Sequence, residues 1–416
     1  MIWNREILFI LLSFVISPLM AKTILVNPGK GKPITEAIRI AIPGDSIIIT
    51  GGTYKEGNIV VSKPVILIGQ NRPVLDGELK NEIMTITSDF VIVDGFHFLN
   101  SGRSSYDDIA ALRIIQSGHI LIRNNFFEHA FFGIYCQHAY SSTIYNNIFR
   151  STAADETNSA NGIHCWKSEK MLILNNEISG HRDGIYFEFV TGSTIQGNIS
   201  HGNARYGLHF MFSHDNSFLH NEFRDNGAGV AVMYSHGVIM INNLFSENWG
   251  AAAYGILMKD ITDSRVEGNH FEKNTSGIHM EGSNRINIVQ NTFKQNGWAI
   301  KIQASCTEDT ITGNNFINNT FDIATNGTLQ LNNFKGNYWD KYEGYDLNRD
   351  GTGDIPYRPV SMYSLIVERN PASLILLRSF MSGLMDKAEK VIPSLTPEQL
   401  KDEQPHMRPF TLKAIL

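Results

Sequence analysis

GLHFMFSHDNSFLHNEFRDNGAGVAVMYSH, residues 207–236, carries one phrase twice: methionine, aromatic, serine, histidine at 211–214 and again at 233–236. Between the copies stands an Asn-x-Phe triplet, NEF at 221. Both features belong to columns that run through most of the chain. The triplet or a near relative recurs as NFF at 125, NIF at 147, NEI at 176, NIS at 198, NLF at 243, NHF at 269, NTF at 291 and NNF at 314. A second column, Ile134, Ile163, Ile185, Leu208, Val230, Ile256, Ile278, Ile300 and Ile323, advances in lockstep with it by 22 or 23 residues. Steps of 29 and 26 in both columns place insertions at 151–161 and 251–255 in otherwise regular coils.

A period of this length suits a leucine-rich repeat or a parallel β-helix. The first needs a Leu-x-x-Leu-x-Leu scaffold, which is missing. Here short runs such as GIYC, STIYNN and GIYFEF alternate at period two, as strands do. Each run ends in Gly or Asn, which tolerate a left-handed corner. Stacked Asn side chains can satisfy that corner's polar groups. A coil cannot bury its apolar face alone, so stacking builds one continuous core. The chain therefore reads as all-β: a right-handed parallel β-helix of 22–23-residue coils over 22–340, an Asp/Gly-rich connector over 341–370 and an amphipathic helical tail over 371–416. In the less regular early coils, Ile83, Thr85, Val93 and Phe98 are matched to Leu112, Ile114, Ile122 and Phe127.

Residues 1–21 read as a signal peptide: Arg5 in a thin n-region, an apolar run over Ile7–Ile16, a break at Ser17-Pro18 and Ala21 before the cut. A retained amphipathic anchor is the alternative. The address expected from it is outside the cytoplasm. Net charge is −6 and charged residues make up 18%, with the basic ones scattered, which argues against a nucleic-acid groove. Three cysteines are no disulfide scaffold. Cys136 and Cys165 share an inward column as neighbouring thiols or a strained disulfide.

Counting each coil from its Ile-column residue as zero, positions zero and two face the core, and positions one and three face out. Position three reads Gln137, Trp166, Glu188, Met211, Met233, Lys259, Glu281 and Gln303. Two methionines thus sit side by side, His209 shares their face, and His214 with His236 forms a further stacked pair. Thioethers with an imidazole suit a soft ion such as Cu(I). Exposed apolar residues under a loop or partner are the competing explanation. No outward carboxylate pair is evident: Glu188 and Glu281 lie about 19 Å apart at about 4.8 Å per coil, and Asp183 sits at a corner with no expected partner. The chain is accordingly read as no enzyme.

In YDLNRDGTGDIPY, Asp346, Asn348, Asp350 and Asp354 copy four positions of a calcium loop, but Tyr357 replaces the bidentate Glu. A weak calcium site and a rigid Asx-turn are both open. The apolar positions over Leu374–Ile392 have helical spacing, for a lid on the β-helix or a docking face. Thr396-Pro397 suggests the start of a last short helix.

Three stretches carry a family resemblance: PGDSIIITGGTY (43–54), GNYWDKYEGYDLNRDGTGDIPY (336–357) and, most specific, ERNPASLILLRSFMSGLMDKAEKVIPSLTPEQL (368–400). The chain resembles the NosD family, periplasmic β-helical accessory proteins of nitrous-oxide reductase maturation, along nearly its whole mature length. The coils alone indicate only the wider carbohydrate-binding and sugar-hydrolase β-helix group. The resemblance implies a non-enzymatic role in copper delivery, with Cu(I) held transiently. It implies as partners an ABC transporter (a permease with a cytoplasmic ATPase), a copper-chaperone lipoprotein and nitrous-oxide reductase, with peripheral inner-membrane association through the permease. No family motif assigns His209, Met211 or Met233. With no GxxxxGK[ST] loop, ATP hydrolysis falls to a partner. The alternative function is a secreted polysaccharide-binding or polysaccharide-modifying β-helix.

Overall fold

The structure, a computed structural model, describes residues 21–104, 106–152, 159–327, 331–392 and 400–411. The expected signal peptide, save its residue 21, and the start of the short helix expected at Thr396-Pro397 lie outside the described residues. Each coil gives one short strand to each of three parallel sheets, of 14, 13 and 12 strands. The first runs from Thr23–Val26 to Asn333–Lys335, the second from Thr53–Tyr54 to Tyr338–Trp339 and the third from Ile59–Val61 to Phe321–Thr325. Pairing in the third sheet is in register along the whole column from Leu112 and Ile134 through Leu208 and Val230 to Ile300 and Ile323. One early assignment shifts by a residue. Met84 and Ile86, not Ile83 and Thr85, pair with Leu112 and Ile114. Thr85 pairs with Arg113 and bonds Glu82.

The corners explain the Asn column. One residue turns the chain at positive φ, Asn242 at 53° or Gly268 at 64°, and the next is a buried ladder Asn. Asn243 illustrates the rung: its backbone N–H and side-chain Nδ2 both donate to Asn269 Oδ1, at 2.8 and 3.0 Å. Its Nδ2 also reaches the Phe218 carbonyl at 2.9 Å. The ladder runs through Asn125, Asn147, Asn176, Asn198, Asn221, Asn243, Asn269, Asn291, Asn314 and Asn337, every rung pointing to the next coil. A buried unpaired amide costs about 1–3 kcal/mol, so one Asn per coil removes that penalty at a corner water cannot reach. The Phe of the triplet points inward. Phe223, Phe245, Phe271, Phe293, Phe316 and Trp339 form a nearly parallel ring stack at 4.0–5.5 Å.

Both ends of the stack are covered. Helix α1, Pro33–Ile40, buries Ile34, Ala37 and Ile38 at the N-terminal end. The Glu56 carboxylate accepts from the Ile34 and Thr35 amides, serving the helix's orphan donors. At the other end, Tyr363 and Val367 of α2, Met362–Arg369, pack with Phe321 and Trp298. Residues 400–406 then resume the coil, pairing Phe334 with Asp402 and Tyr338 with His406 in parallel. The apolar helix of the tail, α3 over Phe380–Val391, is thus not the lid. It packs on α2 and leaves Phe380 85% and Val391 80% exposed. No helix among the described residues is long and apolar enough to cross a membrane.

Candidate active site on the third sheet

The third sheet carries up to six residues per strand, more than the other two faces, and its outward side chains form the site. Strand Asp183–Glu188 begins with a carboxylate that is wholly buried although it lies outside the core. Arg205, one coil later, grips it through two nitrogens, with Nε on Oδ1 at 2.8 Å. The Tyr206 amide donates to the same oxygen at 3.3 Å, and Arg182 Nε stands 3.9 Å from Oδ2. His209 Nδ1 faces Oδ2 at 3.7 Å. Burial works against the charged carboxylate, but the Arg205 guanidinium and His209 outweigh it and hold the Asp183 pKa down at about 2.

A column of rings stacks beside this carboxylate. Tyr135, His164, Tyr186 and His209 follow on successive coils at 4.6–4.7 Å. Tyr206 closes on His209 at 4.9 Å. Burial, helped by Glu188 and Asp183, pushes Tyr186 up to about 12. Burial and Arg182 pull His164 down to about 3. Neither ring nitrogen of His209 has a hydrogen-bond partner among the described residues. The site therefore contains an ionised, clamped carboxylate, an imidazole whose Nε2 is uncommitted, and two arginines of countercharge. Chemically that is a candidate acid–base set: Asp183 faces Nδ1 at 3.7 Å, and Nε2, the ring's other nitrogen, lies buried among the tyrosines.

The repeated phrase has a structural role at every position. Met211 and Met233 are paired neighbours at the outward end of their strands, each half-buried. Phe212 and Tyr234 turn the corner at φ 49° and 51°, with their rings exposed and stacked at 5.0 Å. Ser213 is buried, accepts from Val190 N and bonds the Met211 carbonyl, while its amide donates to Ser235 Oγ. His214 and His236 stack at 4.1 Å, beyond the corner. His209, expected beside the methionines, leans toward Asp183 and Tyr206 at the start of its strand.

In the Asp-rich loop the carboxylates serve the loop's own backbone. Asp346 accepts from the amides of Asp350 and Gly351, Asp350 from Thr352 and Asp354 from Leu347, while Asn348 bonds Asp350. This is the Asx-turn arrangement. Cys136 and Cys165 pair in register as buried free thiols.

Sequence reasoning missed Arg205 as the partner of Asp183, although the two stand 22 residues apart, one coil exactly in phase with the repeat. It also missed the Phe189–Phe212–Tyr234 column, legible at the same step.

The fold that carries this carboxylate–imidazole set, a stacked parallel β-helix, is shared with solved structures of low sequence identity. The catalytic unit of an α-1,3-glucanase from Streptomyces thermodiastaticus shares it at TM-score 0.61, with 13% identity over 76% of this chain and 69% of that one. The A-module of a mannuronan C-5 epimerase from Azotobacter vinelandii shares it at TM-score 0.51, with 14% identity over 73% and 89%. Residues 150–344 match the family described as "Periplasmic copper-binding protein (NosD)". A Pseudomonas aeruginosa protein named "Probable ABC transporter binding protein NosD" is 28% identical, covering 94% of this chain and 95% of its own length. A Stutzerimonas stutzeri protein of the same name is 26% identical over 88% of each. The chain is similar to the NosD family along nearly its whole length and is placed in the periplasm.

Two expectations are corrected. The non-enzymatic reading rested on a partnerless Asp183; that residue has Arg205 and His209, and the solved structures that share the fold are polysaccharide-acting enzymes. The copper, metal-binding, chaperone and denitrification reading came from the family resemblance. It is undercut by the likeness of the fold to saccharide-acting enzymes, and among the described residues no three His, Cys, Asp or Glu side chains group to hold a metal ion. His209 faces Asp183 at 3.7 Å.

Proposed function

We propose that this protein binds and modifies a saccharide in the periplasm, beside an ABC transporter. The observation that carries the reading is the Asp183–His209 pair, buried under a ring column and countercharged by Arg205 and Arg182. Asp183, ionised at neutral pH, faces Nδ1 of the imidazole at 3.7 Å. Nε2, buried in the free protein, moves a proton on a bound sugar once the sugar opens the ring column, the free geometry being looser than a reacting complex requires. Nearby Tyr186, kept protonated, is a hydroxyl donor. The names of the two curated relatives support the transporter partnership, and the exposed apolar face of α3 suits it.

The test is incubation of the mature protein with neutral and uronate oligosaccharides, products being read by NMR and mass spectrometry. Turnover is expected from the wild type and not from Asp183→Asn or His209→Gln. Turnover that survives both substitutions, or none on any saccharide offered, overturns the reading.

A further inference from the structure

At the far end of the Asp183–Glu188 strand, the surface opens into a cavity of about 360 Å³, walled by His138, Tyr140, Lys167, Glu169, Phe189 and Thr191. It is an open depression in the surface, with a volume within the range of roughly 300–1,000 Å³ for small-molecule sites.

The wall that matters is Phe189. It turns the corner at φ 55° and is 43% exposed. A bulky residue held left-handed costs about 1 kcal/mol more than glycine or asparagine would. Two later coils fill the same corner with Asp260 and Gly282, so an aromatic ring is not needed for the turn. Left-handed residues stand at this corner on neighbouring coils too, Lys167, Phe212 and Tyr234 among them, so the turn does not single Phe189 out; what sets it apart is an exposed ring beside the cavity.

One face of Phe189 is covered by Phe212, at 5.3 Å and 7°. The equivalent residue on the preceding coil is Lys167, whose ammonium lies 4.5 Å over the Trp166 ring. The ring column therefore stops at Phe189, whose second face borders the cavity. Around that face stand an ammonium, a carboxylate and a hydroxyl from Lys167, Glu169 and Thr191; the Tyr140 hydroxyl is already bonded to Asp89 at 2.8 Å. An aromatic face ringed by polar groups matches a pyranose, which has an apolar C–H face and a polar rim.

We propose that this cavity is a glycosyl-binding subsite. Phe189 stacks on one pyranose ring, and Lys167, Glu169 and Thr191 bond its hydroxyls. Six residues along the strand, about 20 Å at the β-strand rise, lies Asp183. An oligosaccharide laid across Glu188 and Tyr186 spans both, so the subsite sets which residue of the polymer reaches His209. The inference rests on the saccharide reading above.

The experiment titrates the full mature chain with oligomannuronates and α-1,3-gluco-oligosaccharides, following affinity by calorimetry and sugar contacts by saturation-transfer NMR. Phe189→Asn keeps a residue suited to the left-handed corner and removes the ring; Phe189→Trp keeps a ring. Phe189→Asn is expected to weaken binding about tenfold or more with an unchanged melting midpoint, and Phe189→Trp to bind like wild type. Asp183→Asn should bind while losing turnover. Wild-type affinity in Phe189→Asn overturns the subsite, even where Asp183→Asn abolishes turnover and so upholds the catalytic reading. Binding that depends on Phe189 in a protein without turnover keeps the subsite and overturns only the catalysis. No binding of any probe by the wild type overturns both.

Discussion

Asn337 gives its backbone amide and its side-chain amide to a single oxygen of Asp402, 65 residues away, at 2.8 and 3.0 Å. The same carboxylate accepts from Gly336 N, Gln404 N and Trp339 Nε1 at 2.9–3.1 Å. A ladder of amides thus ends on a buried carboxyl group. Asp402→Ala leaves several buried donors unpaired, each worth about 1–3 kcal/mol. We expect a loss of about 3 kcal/mol or more, with hydrogen exchange rising first over 333–339. Uniform exchange along the stack would show that the rung is not a terminal clamp.

The clamped site carboxylate sets an acid limit. Its folded pKa of about 2 lies below the ordinary value of about 3.9. The stabilisation is full above about pH 4 and is lost as pH falls through about 2. Asp183→Asn should therefore cost about 2 kcal/mol at pH 7, and its deficit against wild type should shrink between pH 4 and 2. A deficit independent of pH would remove the charged pair as its cause.

His181 occupies the place of an Asn in a second ladder, its amide donating to Asn203 Oδ1 at 3.0 Å. Both ring nitrogens are buried without partners among the described residues, and burial lowers its pKa to about 4. The unfolded chain binds this proton below about pH 6.5 and the folded one does not. Stability is then lost as pH falls from about 6.5 to about 4. His181→Asn should extend the ladder and flatten that part of the pH–stability curve. A curve unchanged from wild type would exonerate His181.

Helix α3 offers a separable test of the transporter partnership. Phe380 is 85% exposed and Leu384 49%, so Phe380→Asp with Leu384→Ser should change stability by no more than about 0.5 kcal/mol. Co-purification with the transporter's membrane subunit should fail. Retained association would place the contact elsewhere. Deleting the whole tail is a poor substitute, because it also removes Asp402.

Much of this fold is written in the chain, since a coil repeats its register every 22–23 residues and a core column must stay apolar. Ile134 to Ile323 could be read from period alone. Asp183 was harder: its partner Arg205 is one coil away, but the pairing depends on two side chains meeting at a strand entrance, which alternation does not specify. Asp402 was hidden because α2 and α3 interrupt the period before the last rung. The early shift from Ile83 to Met84 has a related cause, as irregular loops there break the phase.

The direction of the Asn ladder also bears on how the chain comes to be folded. Every rung lends its backbone amide forward, to an acceptor that lies later in the sequence. A protein crossing a membrane amino end first delivers each coil before the coil that must receive its donors. Each arriving coil can pair backward through strand amides and its ladder Nδ2, as Asn243 does with the Phe218 carbonyl, but its ladder backbone amide stays open until the next coil comes. One open donor therefore marks the newest coil throughout the threading, and only residue 402 closes the series.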